Sequence, residues 1–300
     1  MTFITSILIT QVAPMELHAA NRGEKLLGNA SSVKRLPDGR VYISGQMQRH
    51  VLFSAMDRLN EQDPQKGDTY VANGDGVSTD IAKDLKSDLG GFLVTDKGYS
   101  GRRMAPLTAT MAVARHSSEV GRDLLVRLKL NPNADSEQKQ ALATNEFSQR
   151  DEMLMSFHLD VGRVGVQREF QYEDEKHIGT HYVKHIDDGE HRRRVRLFLQ
   201  AAQAMNDYAN QARNAISGEP NRVLIVLDNR MSRKAVRYFS PQTTEAERAS
   251  MLRELETRGA RYFLGDDTTE EGLSVEQAYS QALQAIAEGQ LYRPQSMNNN

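Results

Sequence analysis

The sequence predicts a mixed α+β fold, with strands and helices interleaved but without the regular βαβ rhythm of a doubly wound sheet. Three observations carry this. Short β-branched and aromatic runs at residues 2–10, 108–114, 155–161, 164–170 and 222–228 read as strands. Met47, Val51, Ala55 and Leu59 recur every fourth residue after Ser44, an N-cap residue type, which predicts a helix over 45–59 with one apolar stripe. Ser274-Val275-Glu276-Gln277 is a capping box and opens a last helix.

The first strand is expected to be central and to end near Pro14. Residues 15–39 form a polar loop with Asn21-Arg22-Gly23, Lys25, Lys34 and Arg35, too long for a simple connection and therefore a candidate functional loop. Residues 61–78 are rich in Gly and Asp and read as an insertion. Ile81, Leu85 and Leu89 then mark a short helix closed by Gly90-Gly91. A charged, Asn-rich loop is expected at 131–135, and a polar stretch at 171–190 holds His177, His181 and His185. A long helix is predicted over 191–216, stopped by Gly218 and Pro220. A Glu/Arg-rich helix at 244–258 and a strand at 261–264 precede the last helix, and the Asn298-Asn299-Asn300 tail is expected to fray.

Composition narrows the function classes. With 300 residues, 39% of them apolar, the chain can bury a real core. Lys and Arg total 38 against 40 Asp and Glu, so a net charge of -2 makes any polyanion site a local patch. The absence of cysteine removes disulfides, thiolate zinc sites and thiol nucleophiles, and fits a reducing compartment. The apolar run at 1–12 lacks a charged n-region and is broken by Thr5, Ser6, Thr10 and Gln11, so neither a signal peptide nor a membrane span is expected and the cytoplasm is the expected location. No phosphate-binding loop, nucleophile elbow or dinucleotide fingerprint is present.

Local chemistry offers candidate anion-binding segments, each of which also reads as an ordinary helix cap, an inert loop or a solvated turn. Ser44-Gly45-Gln46 offers helix-start N–H groups, a hydroxyl and an amide, with Arg49 one turn on along the face of Gly45. Asn21 and Arg22 lie in a loop that would sit beside the same helix end. Arg102-Arg103-Met104, ahead of Pro106, pairs two guanidinium groups with backbone biased to be extended. The Arg192-Arg193-Arg194-Arg196 run spreads over several helix faces and reads more as a solvated surface. His177, His181 and His185 recur at a spacing metal ligands can use, but Gly179, Thr180, Val183 and Ile186 disfavour a helix there, and no metal is expected.

Taken in order, these segments resemble a known family. The opening strand followed by Ala20-Asn21-Arg22-Gly23-Glu24, then Tyr42-Ile43-Ser44-Gly45-Gln46, Leu89-Gly90-Gly91-Phe92, Arg102-Arg103-Met104-Ala105-Pro106-Leu107, Gly162-Arg163-Val164-Gly165-Val166 and His191-Arg192-Arg193-Arg194 are similar to the backbone subunits of type I (I-B, DevR-like) CRISPR Cascade complexes in the RAMP superfamily. The resemblance implies a single RRM-like (ferredoxin-like) palm over 1–300, with a finger-like insertion at 60–107 and a thumb-like hairpin at 167–190. It implies a non-catalytic scaffold that binds CRISPR guide RNA, polymerises along it and presents it to target DNA, with copies of itself and the large, cap and RNA-processing subunits as partners and no cofactor. RNA-binding residues would be Asn21, Arg22, Ser44, Gly45, Gln46, Arg49, Arg102, Arg103, Met104 and Arg163, with Ile178 or Tyr182 as the thumb wedge. The alternatives are a metal-dependent endoribonuclease of a type III-like effector, with Glu16, Glu24 or Asp38 supplying the carboxylate, and an unrelated α+β metabolic enzyme.

Overall fold

β1 (Ser6–His18) is the centre of the sheet, antiparallel to two neighbours, and its apolar residues face both ways. The computed structural model describes residues 3–25, 31–74, 76, 78–96, 99–129, 139–212 and 214–295, with backbone alone for 24–25, 95–96, 99–100, 125–129 and 139–143. After β1 come β2 (Arg22–Lys25), β3 (Ser31–Val33), β4 (Tyr42–Ile43), α1 (Gly45–Gln62) and α2 (Leu85–Gly90). The hairpin of β5 (Phe92–Asp96) and β6 (Tyr99–Arg103) precedes the short β7 (Leu107–Ala109) and β8 (Ala112–Ala114). Two long strands follow, β9 (Val120–Lys129) and β10 (Lys139–Asp160), then the hairpin of β11 (Val166–Glu173) and β12 (Lys176–Lys184). The chain closes with α3 (Asp188–Gln203), β13 (Arg222–Asp228), α4 (Glu245–Thr257), β14 (Arg261–Asp266) and α5 (Val275–Glu288).

The middle of the sheet runs β13, β1, β10, then β7 and β8, all antiparallel. In chain order this is strand, α1, strand, strand, α3, strand with spatial order 4-1-3-2, the ferredoxin-like arrangement of an RRM. β14 extends the sheet beyond β13, and α5 joins α1 and α3 in the helical layer. Ile7, Ile9, Ala13 and Met15 point into that layer against residues such as Phe53, Val195, Phe198 and Tyr279. Leu8, Val12, Leu224 and Val226 face the other way and are covered by Ala235, Tyr238, Phe239, Met251 and Leu255. A strand buried on both faces reads as an unbroken apolar run, which is why β1 and β13 stood out in the sequence.

Several expectations are corrected. β1 does not end near Pro14 but continues four residues past it. Its pairing with β13 stops at Val12, so the missing Pro14 N–H falls where only β10 is alongside. The 15–39 segment is partly ordered, with β2 paired to β3. The strand expected over 108–114 is split at Thr110 and Met111. β10 is 22 residues long rather than the seven expected. Its first half pairs with β9 as a ribbon (Lys139↔Lys129 to Ser148↔Val120), and that polar stretch lacks the alternation that marks a half-buried strand. α3 starts at Asp188 on an Asp187 cap and ends at Gln203, well short of 216. Asn206, Asp207 and Asn210 compete with the helical backbone, and Asn210 adopts φ 64. The expected 131–135 loop and the 298–300 tail lie outside the described residues.

Candidate nucleic-acid interface

The Asn21 side chain is where the loop after β1 meets α1. Its Oδ1 accepts from the Ser44 N–H at 2.8 Å, while Ser44 Oγ accepts from Met47 N–H at 3.3 Å as the N-cap. A Cβ on Gly45 would stand 3.2 Å from the Ala109 carbonyl oxygen, so the close approach of the helix start to the end of β7 favours glycine. Gln46 is exposed. The first turn of α1, whose N–H groups have no intrahelical partner, thus sits at the sheet margin with Arg22 and Arg49 nearby in the chain.

Arg22 is exposed and donates through Nε and Nη2 to Asn210 Oδ1 at 3.0 and 2.6 Å, while Asn210 Nδ2 donates to the Ala19 carbonyl at 2.8 Å. The segment that breaks the expected long helix therefore braces the loop carrying Arg22. Arg49 is half-buried: Nη2 donates to the Gly90 carbonyl, Nε has no partner among the described residues, and burial lowers its pKa below the ordinary arginine value. Gly91, next along, packs against the backbone of Arg103 and Ala105. Contacts thus link Asn21 to the start of α1 and, through Gly90 and Gly91, Arg49 on that helix to the 102–105 segment, a band of connected backbone segments.

Within that band the residues differ. Arg102 is exposed and makes no ion pair among the described residues, and Met104 is 60% exposed. Arg103 is buried with its fork committed: Nε donates to the Asp88 carbonyl (2.8 Å), Nη1 to the Val166 carbonyl (2.9 Å), and Nη2 to Asp88 Oδ1 and to the Arg163 carbonyl (2.8 Å). Burial lowers its pKa, partly offset by Asp88. Arg163 is half-buried, with Nε 3.4 Å from Asp160. The arginines that open α3 are also spent internally. Arg192 caps the C-terminus of α5 at Ala287 and Gly289, Arg193 pairs with Asp63 and Glu190, and Arg194 with Asp88 and Glu190.

The β11–β12 hairpin divides its charge between two faces. Asp174 and Glu175, at φ 46 and 63, make the tight turn. The register places Arg168 opposite Tyr182, Phe170 opposite Thr180 and Tyr172 opposite His177, so these six share one face. Arg168 lies 4.8 Å over the Phe170 ring, and His177 meets Phe170 and Tyr172 edge-on at 5.6 and 5.8 Å. Glu169 and Glu173 point to the other face, where Glu169 pairs with His181 at 2.9 Å. Ile178, 59% exposed, is the extra residue of the bulge opposite Gln171 and Tyr172. Sequence reasoning missed the Arg168–Phe170–Tyr172 row, whose period of two was its signal. It also missed Asp88, a carboxylate between the apolar Leu85 and Leu89, and Asn210.

Of the carboxylates considered for catalysis, Glu16 is exposed and 3.7 Å from Arg150, Asp38 pairs with Arg40 at 2.7 Å, and the Glu24 side chain is not described. Among the described residues no cluster of His, Asp or Glu could hold a metal, and no helix is long and apolar enough to cross a membrane.

This fold is found in solved CRISPR assemblies. One chain of a CRISPR RNA-guided surveillance complex matches with TM-score 0.58 at 16% identity, covering 94% of this chain and 99% of its own. A chain of such a complex in a pre-nicking state matches with TM-score 0.59 at 15% identity, covering 94% and 100%. More specifically, the model of the family described as CRISPR-associated negative auto-regulator DevR/Csa2 matches residues 9–217, and the chain belongs to that family. The resemblance read from the sequence is borne out at this level. Comparison with curated proteins gave no match.

Proposed function

We propose that this chain is a non-catalytic scaffold subunit of a type I Cascade effector, binding CRISPR guide RNA along the band from Asn21 and Arg22 through Ser44–Arg49 to Arg102 and Met104. The observation that carries the proposal is the set of contacts joining these segments, in a chain whose net charge gives no other reason to gather cations there. In this reading the exposed Arg22 and Arg102 meet phosphates, and the N–H groups at the start of α1 add a fixed positive end. Arg103 holds the band in place from beneath. The sheet face that an RRM leaves open for bases is closed here by residues 235–255, which favours a grip on the RNA backbone over base reading. Sequence recognition then falls to base pairing with target DNA.

The 60–107 segment, with the β5–β6 hairpin, is the finger of this proposal, and the β11–β12 hairpin within 167–190 is the thumb. Its carboxylate-free face, bearing Arg168, Phe170, Tyr172, His177 and Tyr182, suits stacking on a base, and Ile178 at the bulge is the better wedge of the two candidates because it protrudes. Copies of the chain would line up along the RNA beside large, cap and RNA-processing subunits in the cytoplasm.

The test is to co-express the chain with its guide RNA and neighbouring subunits, record the 260 to 280 nm absorbance ratio, and image it on long single-stranded RNA. Bound nucleic acid and regular filaments are expected. Protein free of nucleic acid and without filaments, with all partner subunits present, would refute the scaffold reading. Site-specific RNA cleavage with magnesium, lost on replacing Glu16, Glu24 or Asp38, would refute its non-catalytic part.

A further inference from the structure

The two hairpins leave the body of the protein far apart in sequence, yet both are rooted on one buried carboxylate. Asp88, fully buried within α2, accepts the Gly165 N–H with both oxygens at 2.9 Å, and Gly165 begins the approach to β11. Gly165 sits at φ +63, and a Cβ there would collide with Ile186 on the far side of the same hairpin. Asp88 Oδ1 also receives Arg103, the last residue of β6, and Arg103 in turn donates to the carbonyls of Arg163 and Val166. From α3, the fully buried Arg194 reaches Asp88 Oδ2 at 2.7 Å, the Ile81 carbonyl at 2.8 Å and Glu190 at 2.7 Å.

We infer that the Asp88–Arg103–Arg194 cluster is a positioning device that fixes the β5–β6 hairpin relative to the β11–β12 hairpin. A buried ion cluster is a poor way to add stability, because desolvation cancels most of the attraction, and well-packed apolar side chains would serve as well. What apolar packing lacks is direction. Here the planar fork of Arg103 runs from the root of one hairpin to two backbone carbonyls at the root of the other, and the Asp88 carboxylate fixes the Gly165 amide between them. Neither root can rotate without breaking bonds held by the other.

The absence of cysteine makes the test direct. Spin labels are attached at Leu93→Cys on β5 and Ile178→Cys on β12, both exposed, and their separation is measured in the full chain without RNA. One narrow distance is expected. In Asp88→Asn and Arg103→Lys backgrounds the distribution should widen about twofold while far-UV circular dichroism is retained, because lost directional bonds free additional orientations. A broad distribution in the otherwise unaltered chain, or an unchanged width in either folded variant, would overturn the inference. Should both variants fail to fold, hydrogen exchange of the unaltered chain decides: amides at Gly165 and at the β6 end should open together, and independent opening would refute the device. Both measurements omit RNA, so their failure and that of the scaffold reading are separately visible.

Discussion

His158 offers the sharpest quantitative prediction. It lies on β10 opposite Leu8 and Thr108, only 3% exposed, and neither ring nitrogen has a partner among the described residues. Burial, helped by Arg233 and opposed by Asp228, lowers its pKa to about 4. His191, whose Nε2 donates to the Val161 carbonyl at 2.8 Å, is likewise held at about 4 by burial. With both folded values below the unfolded value, the unfolded chain binds more protons between them. Stability is therefore full above about pH 6.5 and falls as pH drops towards 4. At pH 5, about 1.5 below the ordinary histidine value, each histidine forfeits about 2 kcal/mol, so the pair costs about 4 kcal/mol relative to pH 7. For a domain with about 5–15 kcal/mol to lose, that is a large share. His158→Leu, close to the original in volume, should halve the pH 7 to pH 5 loss without lowering stability at pH 7, since it removes two unsatisfied polar atoms. Urea unfolding at pH 7, 6 and 5 measures this through the midpoint at constant m. If variant and parent lose the same stability between pH 7 and 5, the burial argument for His158 is wrong.

Three further predictions follow from geometry. Arg194→Ala takes one of its two guanidinium partners from Asp88 and one from Glu190, leaving Arg103 and Arg193 respectively, and should cost about 1.5–3 kcal/mol in chemical unfolding; a loss under about 1 kcal/mol would mean that water replaces the guanidinium. If Arg22 and Arg102 each hold one phosphate, Arg22→Ala with Arg102→Ala should reduce the salt slope of RNA affinity by about 1.4, a sevenfold smaller change between 50 and 200 mM salt; an unchanged slope removes them from the track. Phe170→Ala and Tyr172→Ala should each weaken RNA binding by about 1–3 kcal/mol per stacked base with little change in that slope, as fluorescence anisotropy titrations at several salt concentrations would show. A change in slope alone would argue against stacking.

Much of the scaffold was legible in the sequence because its signals are local. The Ser44 N-cap, the fourfold stripe of α1, the capping box of α5 and the apolar runs of β1 and β13 each depend on a few neighbouring residues. The segments proposed as the site were named from the sequence, but the exposure of their residues was not legible there. Arg102 and Arg103 are adjacent and alike in sequence, yet one faces solvent and the other lies under the β11 root. That difference comes from Asp88, 15 residues earlier, and from the carbonyls of Arg163 and Val166, 60 and 63 residues later, contacts that no local pattern encodes. The Arg192–Arg194 run misleads for the same reason: its partners lie in α5, in the 60–69 segment and on α2. The β9–β10 ribbon was hidden for a different reason, since its sequence lacks the strict apolar–polar alternation that marks a half-buried strand.

The length of β10 has a structural consequence. At about 3.3 Å per residue, its 22 residues extend roughly 70 Å as one uninterrupted strand, from the far end of its ribbon with β9 to the turn before Arg163. Along that length it is laced to β9, then to β8 and β7 on one side and to β1 on the other. One strand therefore serves the ribbon, the centre of the sheet and the turn that leads into the β11–β12 hairpin, with no break in its backbone pairing between them.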